Sequence, residues 1–278
     1  MKVTVVQMNS GADKDENIAQ ARRLIESAVD QDRPDIVSLP EVWDSLGGDR
    51  ATRMANAEHL PPKGSNEPGG PAYEFLRETA RAAKVHVHGG SIIEQGPEKL
   101  LNTTVVFNPE GTEIARYRKM HMFDIVGPDG TGYRESNAYD AGDDIVTYEA
   151  NGVKVGCAIC YDVRFPDLFW ELRKQGAELI FLPSAFTLAT GKDHWEPLLK
   201  GRAIETQCWF AAPATWGKHL EGKGDARFTY GHSMIVNPWG SVVAQVSDGI
   251  GWATARLDHT VTARIRRDMP VLEHRKRV

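Results

Sequence analysis

The chain has 278 residues, a net charge of −5 and an ordinary globular composition, 41% hydrophobic and 26% charged. The mild acidity gives no reason to expect nucleic acid as a partner, and three cysteines are too few and too odd in number for a disulfide framework. No stretch approaches the roughly 18 apolar residues of a membrane span, and the amino terminus lacks the apolar core of a signal peptide, so a reduced, cytoplasmic setting is the default expectation.

In chain order, "VTVVQM" reads as a strand and Asn17 to Gln31 as a helix, with Ile18, Ala21, Ile25, Ala28 and Val29 on one stripe. "DIVSLPE" is a second buried strand. "PAYEFLRETARAAK" is a helix opened by Pro71, with Ala72, Phe75, Leu76, Thr79 and Ala83 sharing a face. Strands "VHVHGGSIIE", "LNTTVVFN" and "EIARYRK" follow, joined by Gly- and Pro-marked turns. Next come the strand "VKVGCAIC", a helix from Pro166 to Lys174, the strand "AELIFLPS" and a helix from Trp195 to Thr206. "CWFAAPAT", "GHSMIVN", "VVAQV" and "WATARL" complete the strands. The mixture of βα alternation with hairpins points to a layered α/β sandwich rather than a simple doubly wound sheet. No repeat or linker interrupts it, so residues 1–278 read as a single domain. Irregular stretches remain at 43–70, 120–144, 184–192 and 216–230. Long loops tend to carry function, and each of these follows a strand-like run, so they are expected to share one rim.

Several groups along this path carry chemistry. Cys157 and Cys160 form a CxxC, the spacing of redox and metal pairs. On a strand an offset of three splits the two thiols between faces, and no further ligands complete a zinc site. Cys157 is therefore read as core, and Cys160, where the strand gives way to loop and helix, as the thiol in a position to act. An activated cysteine needs a base; His121, His194 and His232 are candidates, though none has a distinguishing local pattern. His86 and His88 share a strand face in HxH spacing but lack a third ligand. Glu41 and Lys119 each end an apolar strand ahead of a long loop. Taken alone, each reads as a solvated side chain. The basic "RIRR" and "HRKRV" read as a solvated or subunit-contacting end rather than a nucleic-acid tail.

Taken together, Glu in "LPE", Lys in "YRKMHMFD" and Cys in "CYDVRFPDLF", in that order, resemble the nitrilase superfamily of carbon–nitrogen hydrolases. "RESNAYDAGD", "LPSAFTLATGKDHWEPLLKGRAIETQC" and "YGHSMIVNPWG" extend the resemblance over nearly the whole chain. The resemblance implies an α-β-β-α sandwich that pairs into a homodimer or larger homo-oligomer. It implies Glu41, Lys119 and Cys160 as a catalytic triad, with Glu135 as a second active-site glutamate. It also implies a small-molecule amide substrate and neither a metal nor an organic cofactor. In that chemistry Cys160 forms a thioester, Glu41 moves protons, and Lys119 with the Tyr161 N–H faces the oxyanion. A Glu41 pKa raised by burial would suit that role.

The branch most resembled acts on omega-amides of 2-oxo acids and on deaminated glutathione, substrates that carry a carboxylate. Arg164 is a candidate anchor for it, or else an ion-pair partner of Asp162, and Thr190 is a candidate hydroxyl donor. The individual loops "WDSLGGDRATRMANAEHLPPKGSNE" and "DIVGPDGTGYRES" leave an aliphatic amidase, an N-carbamoyl hydrolase, a nitrilase or a non-catalytic binding protein as alternatives on the same scaffold.

Overall fold

Alternation along the first strand decides the layering. In Lys2–Gln7, Val3 and Val5 point into one apolar core and Val6 into another. A strand buried on both faces in this way must lie between two layers. A computed structural model describes residues 1–127, 130–220 and 226–276 of the chain. In it, Lys2–Gln7 is central to a sheet ordered Gly251–Arg256, Lys2–Gln7, Ile36–Ser38, His86–His88, Leu100–Phe107, Ile92–Gln95, with Glu113–Arg118 also paired to Leu100–Phe107. The second sheet runs Val242–Gln245, Met234–Val236, Trp209–Ala212, Leu179–Phe181, Val153–Cys157, Thr147–Ala150. In both sheets three neighbouring strands are parallel and the flanking pairs antiparallel.

The sheets face each other across a shared core. The His88 ring stacks on Phe181 of the opposite sheet at 4.4 Å between centroids. Outside the first sheet lie helices Lys14–Asp32 and Pro71–Ala83, which bury Ala21, Leu24, Ile25 and Ala28, and Ala72, Phe75, Leu76 and Ala80. Outside the second lie Pro166–Lys174 and Leu188–Thr206, burying Leu168, Phe169 and Leu172, and Trp195, Leu199 and Ala203. The order helix, sheet, sheet, helix is the sandwich expected.

Local chemistry sets the helix ends. The Asp13 carboxylate accepts from the Glu16 N–H at 3.1 Å, and Pro71 and Pro166 occupy first-turn positions where no N–H is needed. The helix expected from Trp195 starts earlier, at Leu188, capped by Thr187 accepting from the Thr190 N–H at 3.3 Å. Gly191 and Pro197 hid that first turn from a propensity reading. Gly191 is there for packing, since a Cβ would come within 2.3 Å of Tyr230.

As in 184–192, where the helix begins at Leu188, the other three irregular stretches also carry structure. Arg50–Asn56 is a short helix within 43–70, Asp124–Val126 pairs with Gly132–Arg134 within 120–144, and Trp216–Leu220 pairs with Ala226–Tyr230. Residues 128–129 and 221–225 lie outside the described residues, as do Arg277 and Val278 of the basic terminus. Of the rest of that terminus, Arg264, Arg267, Arg275 and Lys276 are exposed and Arg266 is half-buried. Arg266 donates to the carbonyls of Ala177 and Gln207, and Arg275 stacks on Trp170 at 4.5 Å.

Candidate active site

The site forms where the strands of both sheets end. A bridging segment fixes this end: Trp216 N–H donates to Met8 C=O at 2.8 Å and Thr215 N–H to Ser184 C=O at 3.0 Å, joining the two sheets. Glu41 leaves the end of Ile36–Ser38 through Leu39 and Pro40. The Ser91 N–H donates to the Pro40 carbonyl at 3.0 Å, and the Ser91 hydroxyl accepts from the Val42 N–H at 2.9 Å. Gly90 makes this approach possible. Its φ is +61°, and a Cβ there would come within 2.1 Å of the Pro40 oxygen. Lys119 follows the strand Glu113–Arg118, and its N–H donates to Asn102 C=O at 2.9 Å.

Cys160 opens a 3-10 turn, Cys160–Arg164, directly beyond the strand Val153–Cys157. Its φ of +45° is a left-handed backbone that L side chains seldom adopt, and its N–H donates to Pro183 C=O at 2.9 Å. The sharp turn swings the thiol out of the sheet toward the cavity. The two thiols separate as alternation predicts. Gly156 faces the helix residue Leu172, so Cys157 on the other face is packed into the sandwich and fully buried.

Five polar side chains converge. Glu41 Oε1 accepts from Lys119 Nζ at 2.8 Å and from Asn102 Nδ2 at 2.9 Å, while Oε2 accepts from the Ala185 N–H at 2.8 Å. Lys119 Nζ also donates to both Glu135 oxygens, at 3.0 and 2.9 Å. Glu135 is held in turn by the Phe123 N–H at 2.6 Å. The Cys160 thiol lies on the same cavity wall as Glu41, Lys119 and Ala185, close enough to Glu41 for its charge to bear on the thiol.

Electrostatics follow from this packing. Burial pushes the Glu41 carboxyl up, but the Lys119 charge and hydrogen bond outweigh it, and the pKa ends below its ordinary value. The burial-raised value that would suit a proton-transfer role is not the one found: an ammonium at contact distance overrides burial. Burial also works against the charge on Lys119, yet Glu135 and Glu41 hold its pKa well above normal. Burial, then the negative charge of Glu41, raises the Cys160 thiol well above its usual value. The resting site is thus carboxylate, ammonium and neutral thiol.

A buried carboxylate frames the site. Asp162 accepts from Tyr117 O–H at 2.7 Å, from the Ile159 N–H at 2.8 Å and from the His121 N–H at 3.1 Å, with His121 Nδ1 at 2.7 Å. It therefore ties residues on either side of Lys119 to the turn holding Cys160. His121, stacked on Phe165 at 3.8 Å, is committed to Asp162 rather than to Cys160. His194 lies beside Arg164, and His232 stacks on Tyr230. His86 and His88 are buried in the first sheet, and among the described residues no cluster suits a metal ion.

These groups line a cavity of about 310 Å³, at the small end of ligand sites. All four long stretches supply its wall: Ser45 and Arg53; Phe123, Tyr133, Arg134 and Tyr139; Phe186, Thr187 and Thr190; and Arg227. Tyr161 and Thr190 of the sequence candidates lie on this wall. Arg164 does not. It packs over the Tyr161 and Phe186 rings at 5.8 and 5.6 Å and reaches His194 at 3.2 Å, and it does not pair with Asp162, whose oxygens are filled by Tyr117, Ile159 and His121. The arginines that do face the cavity, Arg53, Arg134 and Arg227, went unnoticed in the sequence because each lies in a stretch read as irregular. Asn102 was legible only as a polar residue inside the buried strand Leu100–Phe107.

The carbon–nitrogen hydrolase family profile matches residues 2–267. The chain belongs to the carbon–nitrogen hydrolase family. It is a hydrolase acting on carbon–nitrogen bonds other than peptide bonds. A deaminated glutathione amidase of Synechocystis sp. is 38% identical over 97% of this chain and 96% of its own length. The human deaminated glutathione amidase is 37% identical over 99% of this chain and 82% of its own. Among solved structures, Saccharomyces cerevisiae Nit3, described as a member of branch 10 of the nitrilase superfamily, superposes with a TM-score of 0.86. It is 31% identical, and the match covers 98% of this chain and 94% of Nit3. The Caenorhabditis elegans NitFhit protein gives the same TM-score at 36% identity, over 99% of this chain and 65% of that protein. For this carbon–nitrogen hydrolase, then, the sandwich and the enzyme class inferred from "LPE", "YRK" and "CYD" both hold.

Proposed function

We propose that this hydrolase cleaves the terminal amide of a small, carboxylate-bearing acid to give ammonia and the free acid, with Cys160 as nucleophile. The observation that carries the reading is the contact network of Glu41, Lys119 and Cys160 at the base of one cavity. The relatives named as deaminated glutathione amidases favour carboxylate-bearing omega-amides of 2-oxo acids as the substrate class; in deaminated glutathione itself the amide nitrogen belongs to cysteinylglycine, and that dipeptide, not ammonia, is the leaving group.

In the first half-reaction the Cys160 sulfur attacks the amide carbon while its proton passes to Glu41. An ionised Glu41 is the form this step requires. The charge developing on the carbonyl oxygen is met by the Lys119 ammonium and the Tyr161 N–H. On collapse the C–N bond breaks, Glu41 returns the proton to nitrogen, and ammonia leaves. A thioester remains on Cys160. In the second half, water gives a proton to Glu41 and attacks the thioester carbon. The C–S bond breaks, the acid departs, and Glu41 reprotonates the sulfur. Glu135 holds Lys119 together with Glu41 and positions the attacking water.

Ammonia release from a panel of omega-amides, 2-oxo acid amides and neutral amides tests this. Cys160→Ala is expected to lose on the order of 10³-fold or more in kcat; undiminished turnover in that variant sinks the reading. We further infer a cytoplasmic homo-oligomer. Trp239, Ile204 and Val243 are 63%, 50% and 44% exposed, and Gly240 abuts Ile204, so apolar side chains cluster at this edge of the second sheet. A monomer by light scattering at micromolar concentration would refute the assembly.

A further inference from the structure

Ion pairing is common for arginines of this protein: Arg77, Arg116, Arg118, Arg202 and Arg267 each contact a carboxylate. The three arginines that line the cavity are different. Among the described residues, Arg53 donates to Gly48 C=O, Arg134 to Tyr133 C=O and Arg227 to Ala185 C=O, and none meets a carboxylate. The two carboxylates that line the cavity, Glu41 and Glu135, are both committed to Lys119. The wall beyond the reacting groups is therefore positive in a protein whose net charge is −5.

Arg227 stands nearest the chemistry. Its Nη2 donates to the Ala185 carbonyl at 2.8 Å, and the N–H of that same residue donates to Glu41 Oε2 at 2.8 Å. One amino acid thus separates the guanidinium from the general base. Its guanidinium carbon sits over the Tyr133 ring, 5.8 Å from the centroid. Its Nε–H is sealed off with no hydrogen-bond partner among the described residues, so the edge of the guanidinium left to a ligand is the outer one, between Nη1 and Nη2. An unpaired buried donor is costly, and a planar fork with donors to spare matches a carboxylate in two-point geometry.

We propose that Arg227 is the specificity-determining residue of this site, binding the carboxylate on the acyl side of the scissile amide through a two-point contact. The assignment rests on the amidase reading above. Arg53 and Arg134, further along the same wall, set a positive field that draws anionic substrates inward. Arg164, the anchor suggested by position in the sequence, is replaced in this role by a residue from the strand Ala226–Tyr230.

The test is a discrimination ratio: kcat/KM for glutaric acid monoamide divided by kcat/KM for the neutral pentanamide. A charge-assisted contact of this kind is worth roughly 10- to 150-fold. Arg227→Ala is expected to cut the ratio by about that factor, mostly through KM for the charged amide, and Arg227→Lys to recover only part. Equal losses for the two amides in Arg227→Ala overturn the assignment and leave Arg227 as a support for Ala185. If Arg227→Ala shows no melting transition, Arg227→Lys decides alone: an undiminished ratio overturns the two-point contact. No ammonia from either amide with the unmodified enzyme overturns the underlying amidase reading, a result distinct from equal losses.

Discussion

At the scale of single residues, the site is governed by which charge wins at Glu41. Lys119 at 2.8 Å holds the carboxyl below 4.5 despite full burial. The acid limb of kcat/KM is accordingly expected below pH 4.5, with no break up to the usual thiol value of 9.0, since Cys160 is raised. A pH–rate profile with an acid limb near 6 contradicts the arrangement. The same lowered value has a stability consequence. The contribution of ionised Glu41 is present above 4.5 and is lost as pH falls through the folded value. Asp44 behaves in the opposite sense. Burial lifts it from 3.8 to about 6, with Lys14 at 3.3 Å only partly offsetting this because Lys14 lies closer, 2.6 Å, to Glu58. Stability is therefore lost as pH rises from 3.8 through 6, by at most about 3 kcal/mol. Asp44→Asn is expected to raise the melting temperature at pH 8 and to leave it unchanged below pH 4. Equal shifts at both would show that packing, not charge, governs the position. Glu41, Lys119, Glu135 and Cys160 were legible in the sequence because the family resemblance names residue types in order. The sign of the Glu41 shift was not, since it depends on a contact between residues 78 apart.

Secondary-structure elements matter chiefly as levers on those residues. The elements themselves were readable where periodicity was long, as in Pro166–Lys174, whose ends match the sequence reading. They were not readable in short hairpins such as Asp124–Val126 with Gly132–Arg134, where three-residue strands carry too little pattern. That is why the arginines of the wall escaped notice and Arg164 was favoured for its nearness to Cys160. Asp162 links two elements: it joins the end of Glu113–Arg118 to the turn at Cys160. Asp162→Asn replaces an acceptor-only group with one that must donate, so at least one buried contact is lost. The expected cost is about 2–4 kcal/mol in urea unfolding, with a fall in kcat exceeding any change in KM. Unchanged stability would show that the Asp162 contacts contribute little. Gly90→Ala tests the other wall. With φ at +61° and the Pro40 oxygen 2.1 Å from a built Cβ, the loop bearing Glu41 must shift. A loss of at least about 2 kcal/mol is expected, and an unperturbed melting curve with full activity would contradict this account of the loop.

Over the whole molecule, the sandwich serves to bring residues from remote parts of the chain to one end of two sheets. Glu41 leaves the first sheet, Cys160 the second, and the segment Ala214–Trp216 joins the two ends. The layering could be anticipated because strands buried on both faces need cover on both. The shared rim of the four long stretches could also be anticipated, since each follows a strand. Which side chains meet there depends on tertiary packing, which local sequence does not encode. The most direct test of the central claim is the mass of the Cys160 peptide after rapid acid quench during turnover of a slow omega-amide. The account predicts an added mass equal to the acyl group on Cys160, with Cys157 and Cys208 unmodified and no adduct in Cys160→Ala. Steady ammonia release with no such adduct, or with the acyl group on another residue, would contradict it.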